Sequence, residues 1–239
     1  MHSFTYDGIN SRDYCELFVS GGGTFNAPER DIESISIQGR NGELTVDKNR
    51  YKNITVSYEA WIAKNFKVNA MKARNWLCAK PGYRRLEDDY HTDEYRMARF
   101  IGGINFETWA SNGDIPVGDV TLEFDCMPQR WLKSGEQMIH LTASGPIINP
   151  TAMASKPLIT VYGSGSTCTL TIGSASYTIT NLNSDLTLDS EIELAYKGTL
   201  ATLSPNSVTK YPEIAPGLNT ISWSGGITAV DITPRWWRL

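Results

Sequence analysis

Thr167-Cys168-Thr169-Leu170-Thr171-Ile172-Gly173-Ser174 followed by Tyr177-Thr178-Ile179-Thr180 carries the clearest structural signal in the chain. Cys168, Leu170 and Ile172 fall on one side of an extended backbone and three threonines on the other, the two-residue period of a half-buried strand. Gly173-Ser174 supplies a tight turn, so the segment reads as a β-hairpin. Outward from it, further short strands are expected at Pro157 to Tyr162, Leu186 to Asp189, Glu191 to Tyr196, Asn219 to Trp223 and Ile227 to Thr233. Ala215-Pro216-Gly217 and Ser224-Gly225-Gly226 mark turns between them. About seven short antiparallel strands without a strong helical period imply a β-sandwich.

Upstream, the chain is more highly charged. Residues 146–239 hold five of the 22 Lys and Arg and six of the 26 Asp and Glu, so most charge lies in residues 1–145. Pro146, Asn149, Pro150 and Pro157 punctuate the change, which places a hinge near 145–157 between a domain at 1–145 and another at 146–239. Strand-like runs occur at Phe4 to Tyr6, Tyr14 to Val19, Ser34 to Gln38, Asn53 to Ile62, Arg96 to Phe106 and Val117 to Met127. A helix is expected from an Asn69 N-cap, with Ala70, Ala73, Trp76 and Leu77 on one face and Lys80-Pro81-Gly82 as its stop. The fold class is therefore mainly β: a β-rich N-terminal domain with one short α-helix, then an antiparallel sandwich.

Composition excludes several functions. A net charge of −4 gives no concentrated basic field for nucleic acid. No stretch of about 18 apolar residues is present to span a bilayer, and Met1 to Asp7 lacks the basic and apolar runs of a signal peptide. Cys15, Cys78, Cys126 and Cys168 are scattered and read as small hydrophobes in a reducing compartment, not as a zinc cluster. Asp88, Asp89, Asp93 and Glu94 lack the glycine-bearing spacing of a calcium loop, so no metal and no cofactor is expected. The three histidines, His2, His91 and His140, have no G-x-S-x-G serine to serve, and no catalytic residue stands out. Gly163-Ser164-Gly165-Ser166 lacks the Gly-Lys-Ser/Thr of a phosphate loop and reads as a turn; Gly21-Gly22-Gly23 reads as a loop. Paired carboxylates for glycoside cleavage meet in space, and no pair is singled out along the chain.

Gly82 to Phe100 interleaves arginines, carboxylates and tyrosines over nearly twenty residues, the composition of a surface that meets another protein. Arg84, Arg85, Asp88, Asp89 and Arg96 are the candidate interface residues. In the sandwich, Tyr196, Tyr211, Trp236 and Trp237 are candidates for stacking on a glycan, against the plainer reading that most such rings fill the core.

Six motifs, in order, resemble the distal tail protein (Dit) family of long-tailed, non-contractile bacteriophages. They are Tyr6-Asp7-Gly8-Ile9-Asn10-Ser11; Pro28-Glu29-Arg30-Asp31 with Gly39-Arg40-Asn41-Gly42; and Gly82-Tyr83-Arg84-Arg85-Leu86-Glu87-Asp88 with Tyr95-Arg96-Met97-Ala98. Lys156-Pro157-Leu158-Ile159, Pro216-Gly217-Leu218-Asn219-Thr220-Ile221 and Pro234-Arg235-Trp236-Trp237-Arg238-Leu239 complete the series. The resemblance implies a structural protein of the virion, assembled in the host cytoplasm and placed at the distal end of the tail. It implies a homohexameric ring, single or stacked in two, closed by the N-terminal domain, with a galectin-like or carbohydrate-module-like sandwich outside. Its partners would be further copies of itself, the major tail tube protein, the tail-associated (Tal) protein and a receptor-binding protein. The alternative is a carbohydrate-binding module for host cell-wall polysaccharide; a cell-wall hydrolase is weaker, since candidate catalytic groups are few.

Overall fold

The computed structural model describes residues 1–62, 64–111, 115–198, 208 and 210–239, with side chains of 108–111 and 115–117 left aside. Contacts divide the chain into one unit of Met1–Arg130 with Leu239 and a second of Trp131–Arg238. That division lies upstream of the hinge expected at 145–157. Residues 139–141 already pair with a strand of the second sheet, and Pro146 lies inside another of its strands, Gly145–Asn149, where it pairs with Thr220.

The first unit contains β1 (Phe4–Tyr6), β2 (Ile9–Asn10), α1 (Ser11–Cys15), β3 (Leu17–Ser20), β4 (Arg30–Ser36), β5 (Glu43–Tyr51) and β6 (Ile54–Ile62). It continues through α2 (Phe66–Cys78), β7 (Arg84–Asp88), β8 (Glu94–Phe100), β9 (Glu107–Ser111) and β10 (Ile115–Leu132). Its main sheet runs β2-β1-β7-β8-β10-β6-β3, with β9 on β10. His2 and Val19 exchange backbone hydrogen bonds at 3.3 and 2.9 Å, so the start of the chain meets β3 and the sheet closes on itself. Closure removes the exposed edges that invite unspecific pairing.

Strict alternation fills the inside. Ile54, Val56, Tyr58, Ala60 and Ile62 of β6 point inward, opposite Cys126, Phe124, Leu122, Val120 and Gly118 of β10. Phe4 lies between the Tyr58 and Trp76 rings, stacked at 5.3 and 5.6 Å, and Phe124 meets it edge-on at 5.5 Å. Each such ring removed from water contributes roughly 2 kcal/mol, and the ring geometries add to that.

Two local expectations change. α2 begins after Asn65, whose φ of 47° puts it in the left-handed region, and not at Asn69. Asn69 is buried inside the helix and its amide donates to the Lys64 carbonyl at 2.7 Å; the apolar face of Ala70, Ala73, Trp76 and Leu77 is buried as expected. The run from Tyr14 to Val19 is strand only from Leu17, because Asn10 caps α1 by accepting from the Arg12 and Asp13 amides at 3.1 and 3.3 Å.

The second unit contains β11 (Ile139–Leu141), β12 (Gly145–Asn149), β13 (Leu158–Ile172), β14 (Ala175–Asp189), β15 (Leu194–Tyr196), β16 (Gly217–Ser224) and β17 (Ile227–Thr233). The hairpin read from Thr167 to Thr180 is the tip of the two longest strands, β13 and β14, paired from Leu158↔Asp189 to Ile172↔Ala175. β13 pairs with β17 along its first half and with β16 along its second, so one strand serves both layers of the sandwich.

Gly163-Ser164-Gly165-Ser166 is therefore the corner within β13 and not a turn between strands. A Cβ on Gly163 or Gly165 would collide with the carbonyl oxygens of Gly226 or Gly225, and Gly226 itself sits at φ +97°. Only glycine lets the two backbones approach this closely while the sheet turns. β14 turns at the same level, with Asn181 and Ser184 at φ 54° and 70°. Ile159, Val161, Leu170, Ile179, Leu188, Ile221 and Ile232 form the core between the layers.

Candidate assembly surface

The mixed-charge stretch forms β7, its turn and β8. The register Arg84↔Ala98, Arg85↔Met97 and Leu86↔Arg96 assigns each residue a side. Glu94, Arg96 and Ala98 face inward with Leu86, whereas Arg85, Tyr95 and Met97 face outward.

Of the five candidate interface residues, Arg85 and Asp89 remain toward the surface. The Arg85 guanidinium lies over the Tyr95 ring at 3.7 Å and donates to Glu87 at 2.5 Å. Asp89 accepts from the Ser3 amide and hydroxyl at 2.7 and 2.9 Å, tying the turn to the chain start. Arg84 is half-buried, and its Nε has no hydrogen-bond partner.

Asp88 and Arg96 turn into the unit instead. The Asp88 carboxylate accepts from the Tyr58 hydroxyl at 2.8 Å and from the Tyr90 and His91 amides at 3.0 and 2.9 Å. His91 Nδ1 is 3.0 Å from the same group. Desolvation, then the Asp88 charge, holds the Tyr58 hydroxyl well above its usual range. Arg96 is 8% exposed, and neither of its terminal nitrogens has a hydrogen-bond partner. Burial lowers its proton affinity from the ordinary arginine value. Nearby, Arg130 pairs with the buried Glu94. A cavity of about 10 Å³ lies among Tyr58, Asp88, His91, Glu94 and Arg96, the room of one water molecule.

Sequence reading gave a strand at Ser34 to Gln38, which overlaps β4, but none at β5, and did not single out the pair as a surface. They form their own two-stranded sheet, joined by the turn around Gly39 to Gly42. Ile35, Ile37, Leu44 and Val46 on it are 41–44% exposed. The alternation in Leu44-Thr45-Val46 is the signal that would have found β5.

The glycan candidates are sheltered. Trp236 is 5% exposed and belongs to the core. Trp237 is half-buried and its indole donates to the Ala154 carbonyl at 2.9 Å; Tyr196 and Tyr211 are half-buried, and Tyr211 packs on the core. The exposed large hydrophobics described in the second unit, Met138, Ile148, Ile192 and Leu218, are all aliphatic. Among the described residues, no group of three or more His, Cys, Asp or Glu is arranged to hold a metal, and no helix is long and apolar enough to cross a membrane.

Comparison with solved structures decides the fold. The chain is similar to the crystal structure of the SPP1 Dit protein (gp 19.1), with a TM-score of 0.72 over 100% of both chains. This chain has the distal tail protein fold. Sequence identity across the Dit likeness is 16%, so side chains have diverged while the path of the backbone is shared. The SPP1 Dit protein is described as a paradigm of the hub adsorption apparatus in phages that infect Gram-positive bacteria. No protein-family model and no curated protein matches the sequence.

Proposed function

We propose that the chain is a non-catalytic distal tail hub of a bacteriophage virion. Six copies close a ring through the N-terminal unit, Met1–Arg130, and carry the sandwich, Trp131–Arg238, as a peripheral domain. The ring joins the major tail tube protein to the tail-associated protein and the receptor-binding apparatus, and its pore passes the tail contents. The observation that carries this reading is the full-length agreement with the Dit fold, both domains included, in a chain whose own motifs follow the Dit order. Partial agreement over one β-domain would say far less, since sandwiches host many functions.

A ring of identical chains needs two different, mutually fitting patches on each copy. Arg85, Asp89 and the outward face of β8 supply charge of both signs at the surface, where it sets register and orientation between partners. The carbohydrate-binding reading has less support, because stacking on a sugar needs exposed rings and those of the second unit are at least half-buried among the described residues.

Electron microscopy of the purified protein tests the proposal: it should show a six-fold annulus with a central hole, at six times 26.6 kDa. A particle that stays monomeric at every concentration, even beside the tail tube protein, would refute it.

A further inference from the structure

Three buried polar atoms line one small cavity beside the β7–β8 hairpin. Both terminal nitrogens of Arg96 and Nε2 of His91 are buried, with no hydrogen-bond partner among the described residues. Both side chains line the cavity of about 10 Å³ that Tyr58, Asp88 and Glu94 also border. Arg96 is 8% exposed, and the neighbouring Glu94 pairs with Arg130 without bonding it. Native folds leave few buried polar atoms unpaired, because each forfeits its bond to water. Three of them around one space point to a shared ligand.

The direction of the protons restricts what that ligand is. A guanidinium only donates. His91 Nδ1 is 3.0 Å from the Asp88 carboxylate, which only accepts, so the ring proton sits on Nδ1. In the neutral imidazole Nε2 is then an acceptor. The ligand must therefore accept from Arg96 and donate to His91. A water molecule does both, and the volume admits one. A chloride would take the Arg96 protons but leave Nε2 unpaired, and would stand beside the Asp88 and Glu94 carboxylates. A metal cation or an ammonium would accept nothing from Arg96 and be repelled by it.

We propose that one ordered water occupies this cavity, accepting from the Arg96 guanidinium and donating to His91 Nε2. The water links the buried charge of β8 to the ring that Asp88 orients, and so fastens β8 to the turn that precedes it. The site lies within one chain and stands whether or not copies assemble.

A crystal structure of the full chain, grown with sodium bromide at pH 8, where an ordinary histidine is neutral, tests it. One water peak should lie within hydrogen-bond reach of both Arg96 and His91 Nε2, with no anomalous bromide signal. A bromide peak in the cavity overturns the proposal, as does an Arg96 guanidinium bonded directly to Asp88 or Glu94 with no water beside it. Neutron diffraction from crystals in heavy water should place deuterium on His91 Nδ1 and none on Nε2; the reverse overturns the bond to His91. Arg96→Met is unbranched, near in size and without a donor, so the water peak should be lost from it while the Tyr58 to Asp88 bond remains. A water held as firmly in that variant overturns the role of Arg96. Should the variant not fold, the two wild-type measurements still decide.

Discussion

The Tyr58 hydroxyl donates to the Asp88 carboxylate at 2.8 Å, joining the centre of β6 to the end of β7 across the interior of the first unit. The same carboxylate holds the Tyr90 and His91 amides, so one acid fixes both a core tyrosine and the turn that leads into β8. Tyr58→Phe, which leaves the other donors in place, should cost about 1–2 kcal/mol, and Asp88→Ala, which orphans all of them, about 3 kcal/mol. Urea denaturation midpoints check both. Equal, negligible effects would show that the network does not support the fold.

The corner of β13 predicts a steep glycine dependence. Gly226→Ala places a methyl group against the Ser164 carbonyl at φ +97°, with backbone on both sides unable to yield. A loss of about 3 kcal/mol or more is expected, whereas Gly22→Ala, which meets nothing within 4 Å, should change stability by well under 1 kcal/mol. Thermal melts of the two variants side by side make the comparison.

Asp189 accepts two hydrogen bonds from Arg235, at 2.6 and 3.0 Å. Burial pushes the Asp189 carboxyl up, but the Arg235 hydrogen bond and charge, with the Glu191 and Ile192 amides, outweigh it and hold the group below the usual carboxylate range. A depressed folded-state value means that the stabilisation is complete above the unfolded value of about 4 and is lost as pH falls further through the folded one. Asp189→Asn should therefore destabilise the second unit by about 2 kcal/mol at pH 7 and make its unfolding less dependent on pH below about 4. A wild-type and variant pair with parallel acid profiles would contradict this.

Thiol chemistry should single out one cysteine of four. Desolvation raises the Cys15 thiol to about 11 and the Cys126 thiol to about 12, and raises Cys168, while Cys78 is exposed at the end of α2. An aromatic disulfide reagent at pH 8 should titrate one group rapidly in the native protein, four after denaturation, and none rapidly in Cys78→Ser.

Much of the local structure was legible because it depends on neighbours in the chain. The alternation of Cys168, Leu170 and Ile172, and the helical spacing of Ala70, Ala73, Trp76 and Leu77, each bury the side that they expose to an apolar surface. Asn65 was missed as the helix start because Phe66 and Val68 add turns that Asn69, an internal residue bonded to Lys64, conceals from a cap-seeking reading. The candidate interface was legible only as a composition. Arg85 and Arg96 look alike in sequence, yet the β7–β8 register turns one outward over Tyr95 and the other into the core.

By itself the sequence determined two β-rich parts, the positions of most strands, one amphipathic helix and the order of motifs that resembles distal tail proteins, since periodicity and turn chemistry act over a few residues. Tertiary structure alone decided that His2 closes the first sheet on Val19, that β13 bends at Gly163–Gly165 against Gly225–Gly226, and that Asp88 serves Tyr58 from 30 residues away. Those outcomes depend on which strands become neighbours in space, and a residue meets its distant partner only after the whole sheet has formed.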